Sequence, residues 1–216
     1  MSVATRTLGR LPDGGGEIKR RLVHATGTLI PIPYLLGEPP LEWGIPGFGR
    51  IPWEAVQVFV VGAMVVAMVL EALRLSGRLE WRIYDVLTRE YEQDNLAGYA
   101  LYFVGMAVVV LAFDPQIAIP AIFMLTIGDP ISGLLGSATA HDTKRPGVLA
   151  AMFGVCLLLA LPFVNLVAAA AGALAATVAD GIKPVVAGHV VDDNLTIPVG
   201  AALAIWAVLT FVPVPL

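Results

Sequence analysis

PQIAIPAIFMLTIGDPISGLLG, residues 115–136, is long enough to cross a bilayer and is interrupted near its end by an acid. A membrane-spanning helix needs ~20 predominantly apolar residues. The one charge in this run is Asp129, set between Gly128 and Pro130 and followed by Ser132, Gly133 and Gly136. A carboxylate in or beside hydrocarbon is costly unless it has a partner or a task. The run predicts a membrane-embedded helix that ends in a functional segment.

The rest of the chain has the same character. Hydrophobic residues make up 57% of the 216 and charged residues 14%, whereas a soluble domain is roughly 45–50% apolar. Mean hydropathy is +0.81. Apolar runs at about 53–73, 97–113, 148–164, 166–182 and 195–213 show no polar stripe. Another begins at Leu22, contains Pro31 and Pro33, and lacks the small-residue pattern of a signal cleavage site, so it reads as a retained first span. The expected fold is all-α: a polytopic membrane helical bundle of about seven transmembrane helices. It comprises a polar N-terminal segment, residues 1–21, and a single transmembrane domain, 22–216, with no soluble domain.

Positive residues collect in cytoplasmic loops, which gives seven spans an orientation. With the N-terminus cytoplasmic, the inner segments hold five basic residues in 1–21, then Arg74, Arg78, Arg82 and Arg89, then Lys144 and Arg145, then Lys183. Of the 13 basic residues, this leaves Arg50 alone outside. The formal charge of −4 excludes a basic nucleic-acid surface as the main theme. The single Cys156 sits in an apolar run and reads as a small core filler. In the longest inner loop, Leu79, Ile83, Val86 and Leu87 recur at helical spacing, which predicts an interfacial amphipathic helix.

Three polar clusters converge on the inner face: Gly128-Asp129-Pro130 with Ser132, Gly133 and Gly136; residues 141–147, HDTKRPG; and Asp180 followed by Asp192-Asp193-Asn194. Each has a plain structural explanation. Gly-Asp-Pro is a common turn, Lys144-Arg145 suits a positive-inside anchor, and Asp192-Asp193-Asn194 suits a helix cap with Pro198 in the following turn. His24, near the start of a span, reads as an interfacial histidine. Together, however, acids, glycines and cations are what a nucleotide phosphate and its metal require. Mg²⁺ takes one or two carboxylates plus phosphate oxygens and water. Glycines admit backbone N–H groups to phosphate, and Lys or Arg neutralise charge in phosphoryl transfer. Asn194 is placed to orient Asp193 or to supply a neutral ligand.

Four motifs in order carry a resemblance. Residues 17–24, EIKRRLVH, resemble a Glu-x-Lys-Arg-Lys-x-x-His opening, and Glu71-Ala-Leu-Arg74 a Glu-x-x-Arg at the end of the second span. Residues 127–136, IGDPISGLLG, resemble a Gly-Asp-x-x-x-x-x-x-Gly loop, and 192–198, DDNLTIP, an Asp-Asp-Asn-x-x-x-Pro close. From Glu17 to Pro198 the chain thus resembles the CTP-dependent lipid-alcohol kinases. That family includes dolichol kinase and phytol kinase and is related to the phosphatidate cytidylyltransferases.

The resemblance implies transfer of the γ-phosphoryl of CTP to the hydroxyl of a membrane isoprenoid alcohol, with Mg²⁺ or another divalent cation, at the cytoplasmic face of the cell membrane. It implies Asp129, Asp192 and Asp193 as metal ligands and Asp129, Asp193 and Lys144 as the catalytic set. It implies Gly128, Gly133, Gly136, Lys144, Arg145 and Asn194 as the nucleotide contacts. Asp180 stands where the family has Glu. The family's Lys-Ser/Thr-x-Glu-Gly segment is here Thr143-Lys-Arg-Pro-Gly147. Either Lys144 supplies the cation beside a deleted residue, or Thr143 and Pro146 replace the Lys and Glu. The alternatives are a cytidylyltransferase forming a CDP-lipid, whose usual signatures are missing from the sequence, and a small membrane transporter.

Overall fold

The computed structural model describes residues 14–38, 50–79, 81, 83–84, 88, 92–93, 95–136, 144–182, 185–186, 189–190 and 192–213. The expected amphipathic helix in the longest loop falls largely outside these residues, as do Lys183 and the stretch 141–143. The described chain is helical apart from one two-residue antiparallel pair, β1 (Val185–Val186) with β2 (His189–Val190).

α3 (Trp53–Leu75), α4 (Gly98–Ala112), α7 (Pro146–Ala160), α8 (Leu166–Gly181) and α9 (Asp193–Phe211) match the apolar runs to within a few residues. The opening stretch forms α5 (Pro115–Phe123), a π-helical turn (Met124–Gly128) and α6 (Asp129–Leu135), continuous as one helix. This helix, α3 and α9 are each long and apolar enough to cross a membrane, while α4, α7 and α8 are shorter apolar helices. The continuous helix is the central one: 72% of its apolar stretch is buried, against 22% for α3 and 28% for α9.

Small residues let the helices approach closely, as apolar packing without a hydrophobic drive requires. The buried face of α8 is Ala168, Ala169, Gly172, Ala173 and Ala176, and a Cβ on Gly172 would lie 2.6 Å from Ile205 Cγ1 of α9. Likewise a Cβ on Gly105 of α4 would lie 2.7 Å from the carbonyl oxygen of Asn194. Pro198, four residues on, has no N–H to offer that carbonyl. Cys156 is buried beside Met152, as a core filler should be.

The described helices alternate in direction, so helix ends gather at two ends of the bundle. One end holds Trp53, Asp114 and Trp206, which line a common cleft. The other holds Asp129, Asp180 and Asp193. The first apolar segment is not one helix. It forms α1 (Gly14–Ala25), a 3-10 turn (Thr26–Leu29) and α2 (Ile32–Gly37). It nevertheless travels between the two ends: His24 lies beside Asp129, and the Tyr34 ring meets that of Trp53 with centroids 5.2 Å apart.

Candidate active site

Three carboxylates from three helices meet at one end of the bundle. Asp129 opens α6, Asp180 is one residue from the end of α8 and Asp193 opens α9. One oxygen of each lies within 4.8 Å of the other two; Asp180 and Asp193 are buried and Asp129 partly so. Two oxygens on one Ca²⁺ lie up to about 5 Å apart, and on Mg²⁺ up to about 4.2 Å, twice the metal–oxygen distance. The cluster therefore fits one hard divalent cation, with a small closure for Mg²⁺.

The surroundings explain how these acids are held. Asp180 sits at a helix C-terminus, where the helix dipole disfavours a carboxylate. Lys144 compensates: its Nζ is 2.5 Å from Asp180 Oδ1 and donates to Ser132 Oγ at 3.0 Å. The Ser132 hydroxyl donates to Asp180 Oδ2 at 2.6 Å. Lys144 thus neutralises Asp180.

The π-helical turn sets Asp129. Its N–H bonds to Met124 O, five residues back. In the same register the Leu125 carbonyl would take the next N–H, but that residue is Pro130, which has none. His24 Nε2 donates to Leu125 O instead, at 3.0 Å, and lies 3.8 Å from Asp129 Oδ2. His24 is held in turn by Tyr102, whose ring packs edge-on at 4.6 Å and whose hydroxyl donates to His24 O at 2.9 Å. Gly27 gives the chain room here, since a Cβ would overlap the Tyr102 hydroxyl. The sequence pattern alone gave His24 no part in the site; its spacing within the opening motif was the available signal.

Of the expected metal ligands, Asp129 and Asp193 come together, and Asp180 joins them. Asp192 does another job. It is the N-cap of α9, its Oδ1 accepting from Asn194 N at 3.0 Å and Asn194 Nδ2 at 2.5 Å. Asn194 Oδ1 is buried with no hydrogen-bond partner among the described residues, at the edge of the site. Two of the three glycines sit in close packing. A Cβ on Gly128 would meet Cys156 Sγ at 3.0 Å, one on Gly133 would overlap the Arg21 guanidinium, and Gly136 gives its N–H to Ser132 O at 2.9 Å. Arg145 is exposed at the cap of α7, where its carbonyl accepts from Val148 N.

Glu71 and Arg74 fasten the loop that leads into α4. Buried Glu71 accepts from Arg74, from Ala97 N at 2.7 Å and from the Tyr99 hydroxyl at 2.6 Å. Arg74 also donates to the carbonyls of Glu92, Gln93 and Asn95. The loop delivers Gly98, on which Asn194 rests: a Cβ there would come 2.7 Å from Asn194 Nδ2.

A cavity of about 680 Å³ opens beside the acids. Arg20, Arg21, His24, Asp129, Asp193 and Asn194 form its polar part. The remainder is mostly apolar, walled by Leu29, Ile30 and Pro33 on one side and Val56, Phe59 and Ala63 of α3 on the other. Such a shape suits an amphiphile with a charged or hydroxyl head and an apolar chain. Comparison of the chain with protein-family models, curated proteins and solved structures found no match.

Proposed function

We propose that this protein is an integral membrane phosphotransferase that moves the γ-phosphoryl of CTP to the hydroxyl of an isoprenoid alcohol of the dolichol or polyprenol type. The observation that carries this reading is the continuity of the cavity, in which a carboxylate cluster that fits a divalent cation adjoins an apolar cleft. A soluble substrate needs no such cleft, and a transporter would hold its acids near the bilayer midplane, not at one end of the bundle.

Asp129, Asp180 and Asp193 would hold the cation, Mg²⁺ in the first instance. When bound, it neutralises charge on the transferring phosphoryl group. The chain's own residues do the rest. Lys144 and Ser132 keep Asp180 in place, the freed Leu125 carbonyl and Tyr102 keep His24 against Asp129, and an aspartate in reach accepts the proton of the alcohol. The apolar cleft holds the first part of the lipid chain, so that the hydroxyl reaches the acids from the membrane side.

The reading includes seven crossings, with the N-terminus and the acidic end cytoplasmic. Support comes from the passage of residues 24–37 between the two ends of the bundle, from the alternation of the six later helices, and from Arg50 being the sole basic residue assigned to the outer loops. The test is incubation of purified protein with Mg²⁺, γ-labelled CTP or ATP and a panel of lipid alcohols. Label is expected in a lipid phosphate with CTP as donor. Labelled lipid with ATP alone would overturn the donor assignment, and label in none of the lipids would overturn the activity.

A further inference from the structure

We infer that the lipid alcohol enters sideways from the bilayer, between the first segment and α3, and that its chain lies in a groove that follows α3 to the opposite end of the bundle; this rests on the phosphotransferase reading above. The reach of the cavity carries the inference. At the acidic end it is lined by Asp129, Asp193 and Asn194, and at its other extreme by Ile51 and Ala55. Ala55 is within one turn of Trp53, which belongs to the far cleft with Asp114 and Trp206. The acidic end lies level with Glu71, because Glu71 accepts from Ala97 N and the next residue, Gly98, packs on Asn194. Ala55 and Glu71 are 16 positions apart in one helix, which is about 24 Å. One cavity thus follows most of the ~30 Å hydrocarbon core of a bilayer.

Its flank is open. Val23, Leu29 and Phe59 line the cavity and are nevertheless 52%, 67% and 60% exposed. The walls of a closed tunnel would be covered from outside; these side chains are the lips of a slot that faces the surroundings of the bundle, which in a membrane are lipid. Entry through the slot keeps the chain in an apolar medium throughout. Arrival by way of the acidic end would draw it through water, at a cost of about fourfold in population for each CH₂ exposed. For the same reason the groove adds little affinity, since lipid tails are as apolar as its walls. What it supplies is register: the chain lies along α3 and the hydroxyl stops at the level of the acids. An open flank also sets no upper limit on chain length, because a longer chain turns out into the bilayer.

The experiment reconstitutes the full chain in phospholipid nanodiscs with long-chain isoprenoid alcohols that carry a diazirine beside the hydroxyl, at mid-chain or near the chain end, and maps the photolabelled residues by mass spectrometry. The label beside the hydroxyl is expected on Tyr99, Tyr102 or Phe103 of α4, the mid-chain label on Leu29 or Phe59, and the chain-end label on Pro33, Ile51 or Ala55. Excess unlabelled alcohol should compete with all three. Ala55→Trp should lower the chain-end label about tenfold, as expected of an overfilled site, and keep the label on α4. Val66→Trp, on an exposed face of α3 outside the cavity, should label as wild type. Mid-chain and chain-end labels spread over exposed residues of other helices, such as Leu158 and Leu174, overturn the inference, as does labelling that the competitor leaves unchanged. Wild-type labelling of Ala55→Trp, or loss of the chain-end label in Val66→Trp, overturns it too. Labelling needs no turnover, so the groove labelled as expected without phosphoryl transfer from CTP supports the groove and overturns the phosphotransferase reading.

Discussion

Lys144 shows what a buried ion pair at this site is for. Breaking a buried pair by removing one partner costs about 3–5 kcal/mol because it strands the other charge. Lys144→Met should therefore lower stability by about that much, read as a drop in thermal unfolding temperature in detergent. The Lys144→Met/Asp180→Asn double variant should lose less than the sum of the two single changes, since the two groups share one interaction. The residue types were legible in the sequence: Asp129, Asp193, Lys144 and Asn194 all lie at or beside the cluster. The pairing was not. Ser132 and Lys144 meet Asp180 across separations of 48 and 36 residues, and only helix packing creates those contacts. The same holds for Asp192, whose adjacency to Asp193 suggested a shared role. Successive residues at a helix start point in different directions, and Asp192 caps the helix while Asp193 faces the site.

At the scale of the elements, the π-helical turn before Pro130 is the device that places Asp129. Pro130→Ala restores an N–H that can take the Leu125 carbonyl, displacing His24 and rotating Asp129. Displacement of a reacting group by about 1 Å can cost about a hundredfold. Pro130→Ala should cut lipid phosphorylation by about that factor, with thermal stability unchanged or raised, because a proline is removed from a helix. Helix extents were largely legible, since all-round apolar runs bounded by Gly, Pro and Asp leave little choice of element. The first segment was less so. A single Pro-containing span was expected from Leu22, and the chain instead forms α1, a 3-10 turn and α2. Pro31 and Pro33 stand at the N-cap and first turn of α2, where a new helix starts, and the close approach of Gly27 to Tyr102 fixes the turn before it. The π-helical turn had a signal in Asp129-Pro130, but register depends on which carbonyl finds an outside donor, and that donor is about a hundred residues away.

The whole molecule reads as an alternating bundle with its polar chemistry at one end and an apolar cleft leading to it. Ala63 sits in the cleft wall on α3, and Ala63→Trp should fill it. The KM for long-chain lipid alcohols should then rise while binding of CTP is retained and a short-chain alcohol is still phosphorylated; equal loss with all alcohols would count against the cleft as the lipid channel. The proposed topology of seven crossings with a cytoplasmic N-terminus would put the C-terminus outside. A reporter fused after Leu216 should be active on the outer side, and cytoplasmic activity would contradict that topology. Composition and charge carried the membrane character, while the cleft could not be read from sequence because its walls come from the first segment, α3 and α4 together.

The central claim is transfer of a terminal phosphoryl group between a nucleotide and a lipid, and the position of the label decides it. Purified protein with Mg²⁺, a lipid alcohol and CTP labelled separately at the α- or the γ-phosphate should yield γ-labelled lipid phosphate and α-labelled CDP, with both products lost in Asp129→Asn that remains folded. Label from the α-phosphate in the lipid, with release of pyrophosphate, would contradict the kinase assignment in favour of cytidylyl transfer, which forms a CDP-lipid when a lipid phosphate is the acceptor, and full transfer by Asp129→Asn would contradict the site.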